Sequence, residues 1–489
     1  MTYVLAFDLG ASSGRAVLGQ LVDGKIELEE LHRFSNDPVQ VGGELHWDIL
    51  RLLHELKQAL IKAKNRGIVL DSMGIDSWGV DFGTLNEQGK LLGNPYHYRD
   101  THTVGVMEQL IEKLSAETIF GRTGIQMMGI NTLYQLASLK TNQSHLLQGA
   151  KHILMTPALL RYFLTNEMHN EFSMATTSQL FNPIVGDWDD HLLEAIDIEK
   201  EMLGNVVQPG TYVGQLSAEV CEELTIDPIP VIAVAEHDTG SAVVAVPAEE
   251  KSFAYLSSGT WSLIGTEVQT PVINELSQQL NFTNEGGAYG TYRLLKNIMG
   301  LWIIQESRRA WEKAGQTYSF PELVKLAEQA EPFARFIDVD DELFMHPGNM
   351  PAQINVYLQQ TNQQTTDDVG SIARVIMESL AFKYRIALEQ IEQLTGEVYD
   401  GLHIVGGGIQ NTLLCQWTAN AIGKPIKAGP VEGSAIGNMV VQWISAGKLK
   451  DVWEAREVIK RSFPIDIYES KQTEEWNTAF EQYKLITGQ

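Results

Sequence analysis

The sequence predicts an α/β protein built as two domains, and three observations predict it. At 489 residues the chain exceeds what a single core usually supports. Short β-like apolar runs alternate with helical patterns along it. Two stretches half a chain apart, residues 5–19 and 253–265, share one design: an apolar strand, a tight turn of Gly, Ser and Thr, and a second apolar strand, the pattern of a β-hairpin. Small turn residues leave N–H groups and hydroxyls unobstructed, so each turn can close on an anion such as a phosphate. Two such turns, opening the two halves, predict a duplicated domain with a nucleotide's phosphate tail clamped between the copies.

The elements follow in order. After the first hairpin, residues 45–65 carry apolar side chains at helical spacing, and residues 68–75 read as a strand that runs into Asp76-Ser77-Trp78-Gly79-Val80-Asp81-Phe82. Residues 153–163 and 229–235 continue the alternation, and His237-Asp238-Thr239-Gly240 opens a small-residue stretch fit for a helix N-terminus. Pro247 and the polar residues after it mark the junction, giving domains over 1–246 and 247–489. In the second domain, residues 297–314 and 369–394 read as long helices and 358–368, rich in Gln, Asn and Thr, as a surface loop. Residues 402–405 form a strand that empties into Gly406-Gly407-Gly408, with a further helix from about Thr412.

Composition bounds the function. Hydrophobic residues make up 44% and charged residues 20%, as in ordinary globular proteins. The net charge of −26 argues against nucleic-acid and membrane partners, so an anionic ligand must be held by local N–H donors, Arg or Lys, and a divalent metal. Cys221 and Cys415 are far apart and outside any metal-ligand spacing, which predicts reduced thiols. With no leader pattern and no spanning apolar run, the expected setting is the cytoplasm.

Several motifs can carry chemistry. Asp8-Leu9-Gly10 ends a strand, where a carboxylate either holds Mg²⁺ through water beside a phosphate or bonds its own turn. Ser12-Ser13-Gly14-Arg15 favours the first role, since Arg15 adds a planar donor suited to phosphate. The loop is not a Walker A motif, for it lacks the Gly-Lys-Ser/Thr ending. Asp238 is either a helix cap or a general base that takes the proton of a hydroxyl as its bond to phosphorus forms. The glycine triplet lets a backbone approach a flat ring, although a plain turn is the commoner use. Trp78 reads as a core residue before it reads as a sugar platform, and Asn297 as a helix cap as readily as a ligand contact.

Taken together these segments resemble the FGGY carbohydrate kinases over nearly the whole chain, from Asp8 to about Ile444. The resemblance is most specific at Asp8-Leu9-Gly10-Ala11-Ser12-Ser13-Gly14-Arg15, Asp76 to Phe82, His237-Asp238-Thr239, Tyr255 to Ser262, and Lys296-Asn297-Ile298-Met299-Gly300-Leu301-Trp302. It implies two RNase H-like (actin-like ATPase) domains flanking a hinged catalytic cleft. It also implies ATP-dependent phosphorylation of a ketose, closest to the members that act on the 1-hydroxyl of L-rhamnulose using MgATP. By resemblance, Ala11, Ser12, Ser13, Gly14, Arg15, Thr260, Gln305 and Gly407 contact ATP. Gly79, His237, Asp238, Thr239 and Asn297 contact the sugar, Asp238 accepts the proton, and Asp8 is the metal-associated carboxylate. The general family pattern of a small residue, Lys and Trp in the first domain is missing at Ile130-Asn131-Thr132-Leu133-Tyr134-Gln135, as in the L-rhamnulose branch. The alternatives are a fuculokinase or xylulokinase acting on a related ketose or polyol, and a non-catalytic actin-like ATP-binding protein.

Overall fold

The computed structural model describes residues 3–489. The chain divides into two compact units, neither continuous in sequence: residues 1–249, 267–294 and 433–462 in the first, and 250–266, 295–432 and 463–489 in the second.

In the first unit, β1 (Tyr3–Leu9), β2 (Ser13–Val22) and β3 (Lys25–Ser35) form an antiparallel meander. β4 (Leu70–Ser77), β5 (Thr211–Gln215) and β6 (Pro230–Ala233) complete a sheet of order β5-β6-β4-β1-β2-β3. β1, β4 and β6 are parallel, so their carboxyl ends share one edge. Val4, Leu5, Ala6 and Phe7 are all buried, as expected of a strand covered on both faces. The helix Ile49–Asn65 covers most of the predicted 45–65 span, although Leu45 and His46 lie in a short strand, Glu44–His46; it is opened by Asp48, whose side chain accepts from the Arg51 N–H.

Five strands of the second sheet, which has seven, repeat this arrangement. β7 (Ala254–Ser258) and β8 (Trp261–Val268) form the second hairpin. β9 (Leu402–Val405) and β10 (Ile426–Ala428) lie parallel to β7, and β11 (Asp466–Tyr468) closes antiparallel, in the order β8-β7-β9-β10-β11. That is the order and sense of β2-β1-β4-β6-β5. The helix Val369–Thr395 lies where the periodicity predicts it.

Two expectations shift. Residues 297–314 are not one helix: Tyr292–Met299 is a strand and the helix is Trp302–Lys313. The apolar run Leu294, Leu295, Ile298 and Met299, buried throughout, satisfies either pattern locally, and the ladder position decides for the strand. Asn297 therefore caps no helix. Likewise, residues 358–360 finish the helix Met350–Gln360, and the polar loop starts at Thr361.

The first unit also recruits the late helix Gly433–Ser445, which packs on the helix Asp238–Val244. The crossing is so close that a Cβ on Gly437 would stand 1.7 Å from the carbonyl oxygen of Ser241. Backbone cannot yield as a flexible side chain would, so the helices must part. Gly437→Ala is expected to lower the melting temperature by several degrees, and thermal unfolding of that variant checks it.

Candidate active site

The shared carboxyl edge of β1, β4 and β6 gathers most of the first unit's candidate residues. Gly10 N–H donates to the Ser13 carbonyl at 2.9 Å, closing the hairpin turn, and Asn36 holds the carbonyls of Gly10 and Ser12 through its side chain and backbone N–H. The amides of Ala11 and Ser12 make no internal hydrogen bond among the described residues. Register then sets Asp8 opposite Arg15 on one side and Asp76 on the other. Arg15 Nε and Nη2 both donate to Asp8 Oδ2, at 2.9 and 2.7 Å.

Asp76 is fully buried, and its proton affinity is pushed well above the usual carboxylate range by that burial and by the charges of Asp8 and Asp238. Its Oδ2 accepts from Asn438 Nδ2 at 2.6 Å, while its Oδ1 finds no hydrogen-bond partner among the described residues. Asn438 is oriented in turn: its Oδ1 accepts from Gln442 Nε2, and Gln442 Oε1 accepts from Ser72 Oγ.

Following β6, Glu236, His237 and Asp238 reach the same edge, where Ser77 N–H donates to the Glu236 carbonyl. His237 is the cap of the helix Asp238–Val244, so Asp238 stands inside the first turn and is not itself the cap. Asp238 Oδ1 accepts from Thr239 N–H at 2.6 Å and Thr239 Oγ1 at 3.3 Å. Its side chain keeps 30% of its surface exposed, yet the protein packed around it raises its pKa, offset by His237 and raised further by Asp8. A carboxylate with raised proton affinity and an open face suits a general base.

Several residues of this site were not anticipated from the sequence. Glu171 accepts from the amides of Ser173, Met174 and Glu236 and from Ser173 Oγ, and Ser173 Oγ accepts from His237 N–H at 3.0 Å. Arg161 Nε donates to Glu236 Oε1 at 2.9 Å with both side chains 1% exposed. Glu171 and Glu236 both have raised pKa values, from burial first and, for Glu171, from the neighbouring Glu236. These acids fix the backbone ahead of Asp238, and they lie 65 residues apart in sequence with no local motif to flag them.

The Gly79 turn is braced by a second buried acid. Asp81 Oδ2 accepts from the indole N–H groups of Trp47 at 2.6 Å and Trp78 at 2.9 Å and from the Tyr98 amide at 3.3 Å; Oδ1 accepts from Gln135 Nε2 at 2.9 Å. Burial pushes Asp81 up to about 7, against the lowering effect of Gln135, the two indoles and the Tyr98 amide. Trp78 is thus a core residue, 5% exposed, with its ring centroid 4.0 Å from that of Trp47. Between Gly79 and Asp81, Val80 has φ +68°, a strained conformation for a β-branched residue. Thr177 Oγ1 accepts from its N–H, and Thr132 Oγ1 and Gln135 Nε2 donate to its carbonyl.

In the second unit, Thr260, Gln305 and Gly407 sit on neighbouring segments. Gly259 N–H donates to the Trp261 carbonyl, and the carbonyls of Gly259 and Thr260 accept from the amides of Leu301 and Trp302, seating the hairpin turn on the start of the helix Trp302–Lys313. Thr260 Oγ1 lies 3.4 Å from Gln305 Oε1. Gly406, at φ +93°, and Gly408 press on Ser258: a Cβ would stand 2.9 Å from its carbonyl oxygen at Gly406 and 2.0 Å from its Oγ at Gly408. A Cβ on Gly407 would meet nothing within 4 Å. Asn297 lies half-buried on the strand Tyr292–Met299.

Among the described residues, no group of three or more His, Cys, Asp or Glu could hold a metal ion, and no helix is long and apolar enough to cross a membrane. Both cysteines are free thiols.

Comparison with known proteins agrees across the chain. Residues 3–245 match the FGGY family of carbohydrate kinases, N-terminal domain, and residues 254–446 its C-terminal domain. A rhamnulokinase of Bacteroides thetaiotaomicron is 45% identical over 479 residues, 98% of each chain. A rhamnulokinase of Bacillus subtilis is 40% identical over 466 residues, 95% of each. Among solved structures, a ligand-bound xylulose kinase from Lactobacillus acidophilus superposes with a TM-score of 0.80 at 18% identity, over 99% of this chain and 98% of that one. A Plasmodium falciparum glycerol kinase with ADP gives 0.77 at 16% identity, over 99% and 98%. These structures share the fold.

The bracing of the Gly79 turn is open to test. Asp81→Asn turns an amide N–H₂ toward groups that all donate, and is expected to cost about 1–3 kcal/mol of stability. Val80→Gly adopts the same φ without strain and is expected to change stability by less than about 1 kcal/mol. Denaturant unfolding of the two variants checks the contrast.

Proposed function

The chain belongs to the FGGY family of carbohydrate kinases, and from that premise we propose that it transfers the γ-phosphoryl group of ATP to the 1-hydroxyl of L-rhamnulose, giving L-rhamnulose 1-phosphate and ADP. The substrate assignment is carried by one observation: relatives named rhamnulokinase align at 40–45% identity along 95–98% of this chain. Relatives that share one name at this identity over nearly the whole chain support the same acceptor here.

Phosphoryl transfer asks the protein for position and charge stabilisation more than for covalent chemistry. The O1 hydroxyl attacks the γ-phosphorus in line; the new O–P bond forms as the bond to the β-phosphate bridge oxygen breaks, and the O1 proton passes to Asp238. A sugar hydroxyl is too weak an acid to react unaided, which is why a carboxylate of raised proton affinity belongs there. Gly79, His237, Thr239 and Asn297 orient the ketose. The amides and hydroxyls of Ala11, Ser12, Ser13 and Gly14, the Arg15 guanidinium, Thr260 and Gln305 hold the nucleotide.

Gly407 supports the adenosine end of this reading. Its neighbours need to be glycine because Ser258 presses on them, while nothing in the chain crowds Gly407, so the missing side chain leaves room for a flat ring to approach. MgATP is the phosphoryl donor, its metal neutralising phosphate charge. Asp8 suits a Mg²⁺ carried by those phosphates and reached through water, since Mg²⁺ keeps its waters and takes one or two carboxylates.

The test is ADP release from MgATP with L-rhamnulose, L-fuculose, D-xylulose, L-ribulose, glycerol or no acceptor, with mass analysis of the product. Preference for L-rhamnulose with a 1-phosphate product is expected. Preference for another sugar moves the specificity, and acceptor-independent turnover overturns the kinase reading. Asp238→Asn is expected to lower kcat by a factor on the order of 10²–10⁴ with nucleotide binding retained, and near-normal turnover removes Asp238 from the mechanism.

A further inference from the structure

Behind Asp238, His237 faces a buried guanidinium. Arg293, on the strand Tyr292–Met299, is fully buried; its Nε donates to the Gly286 carbonyl at 2.9 Å, and its Nη2 lies 3.1 Å from His237 Nδ1. Glu285 Oε2 lies 3.1 Å from both Arg293 Nη2 and His237 Nδ1. On its other side the His237 ring presents Nε2 at 3.5 Å from Asp238 Oδ1. His237 is 7% exposed and its backbone N–H is held by Ser173 Oγ, so the ring is packed among these partners.

These partners choose the protonation pattern of the imidazole. A guanidinium nitrogen has no lone pair to offer and can only donate. With Arg293 aimed at Nδ1, that nitrogen must accept, and the ring proton sits on Nε2, where it faces a carboxylate oxygen. The opposite tautomer sets an N–H against the guanidinium and a lone pair against Asp238 Oδ1, both repulsive. Only Glu285 favours it, and Glu285 is already paired with Arg293.

We infer that Arg293 is a positioning residue for the transfer reaction: by donating to His237 Nδ1 it fixes the Nε2–H tautomer, which holds Asp238 by Oδ1 and leaves Oδ2 as the oxygen that accepts the substrate proton. Thr239 reaches the same oxygen from its amide and hydroxyl, so among the described residues the polar contacts of the Asp238 carboxylate fall on Oδ1. One oxygen is anchored and the other open, which fixes the plane of the base.

The inference rests on Asp238 being the base, and its first test does not depend on activity. Long-range ¹⁵N–¹H spectra of the wild-type protein, ¹⁵N-labelled at histidine and with His237 assigned by loss of its signals in His237→Gln, report the tautomer directly. Nε2–H is expected, and Nδ1–H overturns the inference. In Arg293→Met, Glu285 faces Nδ1 alone, and the ring is expected to turn to Nδ1–H. That variant should lose about 10- to 100-fold in kcat, less than loss of the base itself, with KM for ATP unchanged. Arg293→Lys, which restores a donor, should recover part of that loss. An unchanged tautomer in a folded Arg293→Met, or equal losses in the Met and Lys variants, removes Arg293 from this role, whereas a normal rate in Asp238→Asn refutes the underlying base assignment instead.

Discussion

Like-charge repulsion at the edge where β1, β4 and β6 end is the constraint the rest of the first unit answers to. Strand register sets Asp8 beside Asp76, and Asp238 follows β6 to the same edge. Three carboxylates so placed cannot all be ionised cheaply in a buried setting. The chain separates them by environment. Asp8 is given a two-pronged guanidinium, Asp76 is buried with Asn438 on one oxygen, and Asp238 keeps an exposed face with its anchoring contacts on one oxygen. One fold edge therefore holds a charge-paired acid, an acid of strongly raised proton affinity, and an acid with one oxygen anchored and part of its surface open.

The support for Asp238 is mostly backbone. Glu171 gathers four donors, among them the Glu236 amide, and one of its partners, Ser173, accepts from the His237 amide. Two consecutive peptide N–H groups ahead of the base are thereby tied to one short segment. On the opposite flank, Gly437 lets the late helix lie against Ser241 in the helix that Asp238 begins. Asp238 is thus held from before and behind, which limits its displacement.

Much of this was legible from local sequence. Both hairpins, the Gly/Ser/Thr turns, the strand into Gly406 and the residue Asp238 carry short-range signals, because turn chemistry and apolar alternation act over a few residues. Asn297 is where local reading failed, since Leu294, Leu295, Ile298 and Met299 fit a helix face as well as a buried strand, and only pairing in the sheet separates the two. Arg161, Glu171, Glu236, Glu285, Arg293 and Asn438 were not legible at all. Each reads singly as an ordinary surface residue; what brings them to the site is a partner placed by the fold, as Asn438 is placed on Asp76 across 362 positions.

The repeated strand order gives the duplication a chemical meaning. β2-β1-β4-β6-β5 and β8-β7-β9-β10-β11 are the same topology, so the two units offer equivalent edges. Yet the residues at those edges differ in kind. The first ends β1 and β4 with carboxylates and follows β6 with another; the second ends β7 with Ser258, runs through Gly259 and Thr260, and follows β9 with three glycines. The first edge is rich in acids beside one guanidinium, whereas the second is built mainly of small residues and glycine, with one acid, Glu432, following β10. The strand order is thus shared by the two units while the residues at their edges diverge, so one backbone plan carries two different chemistries.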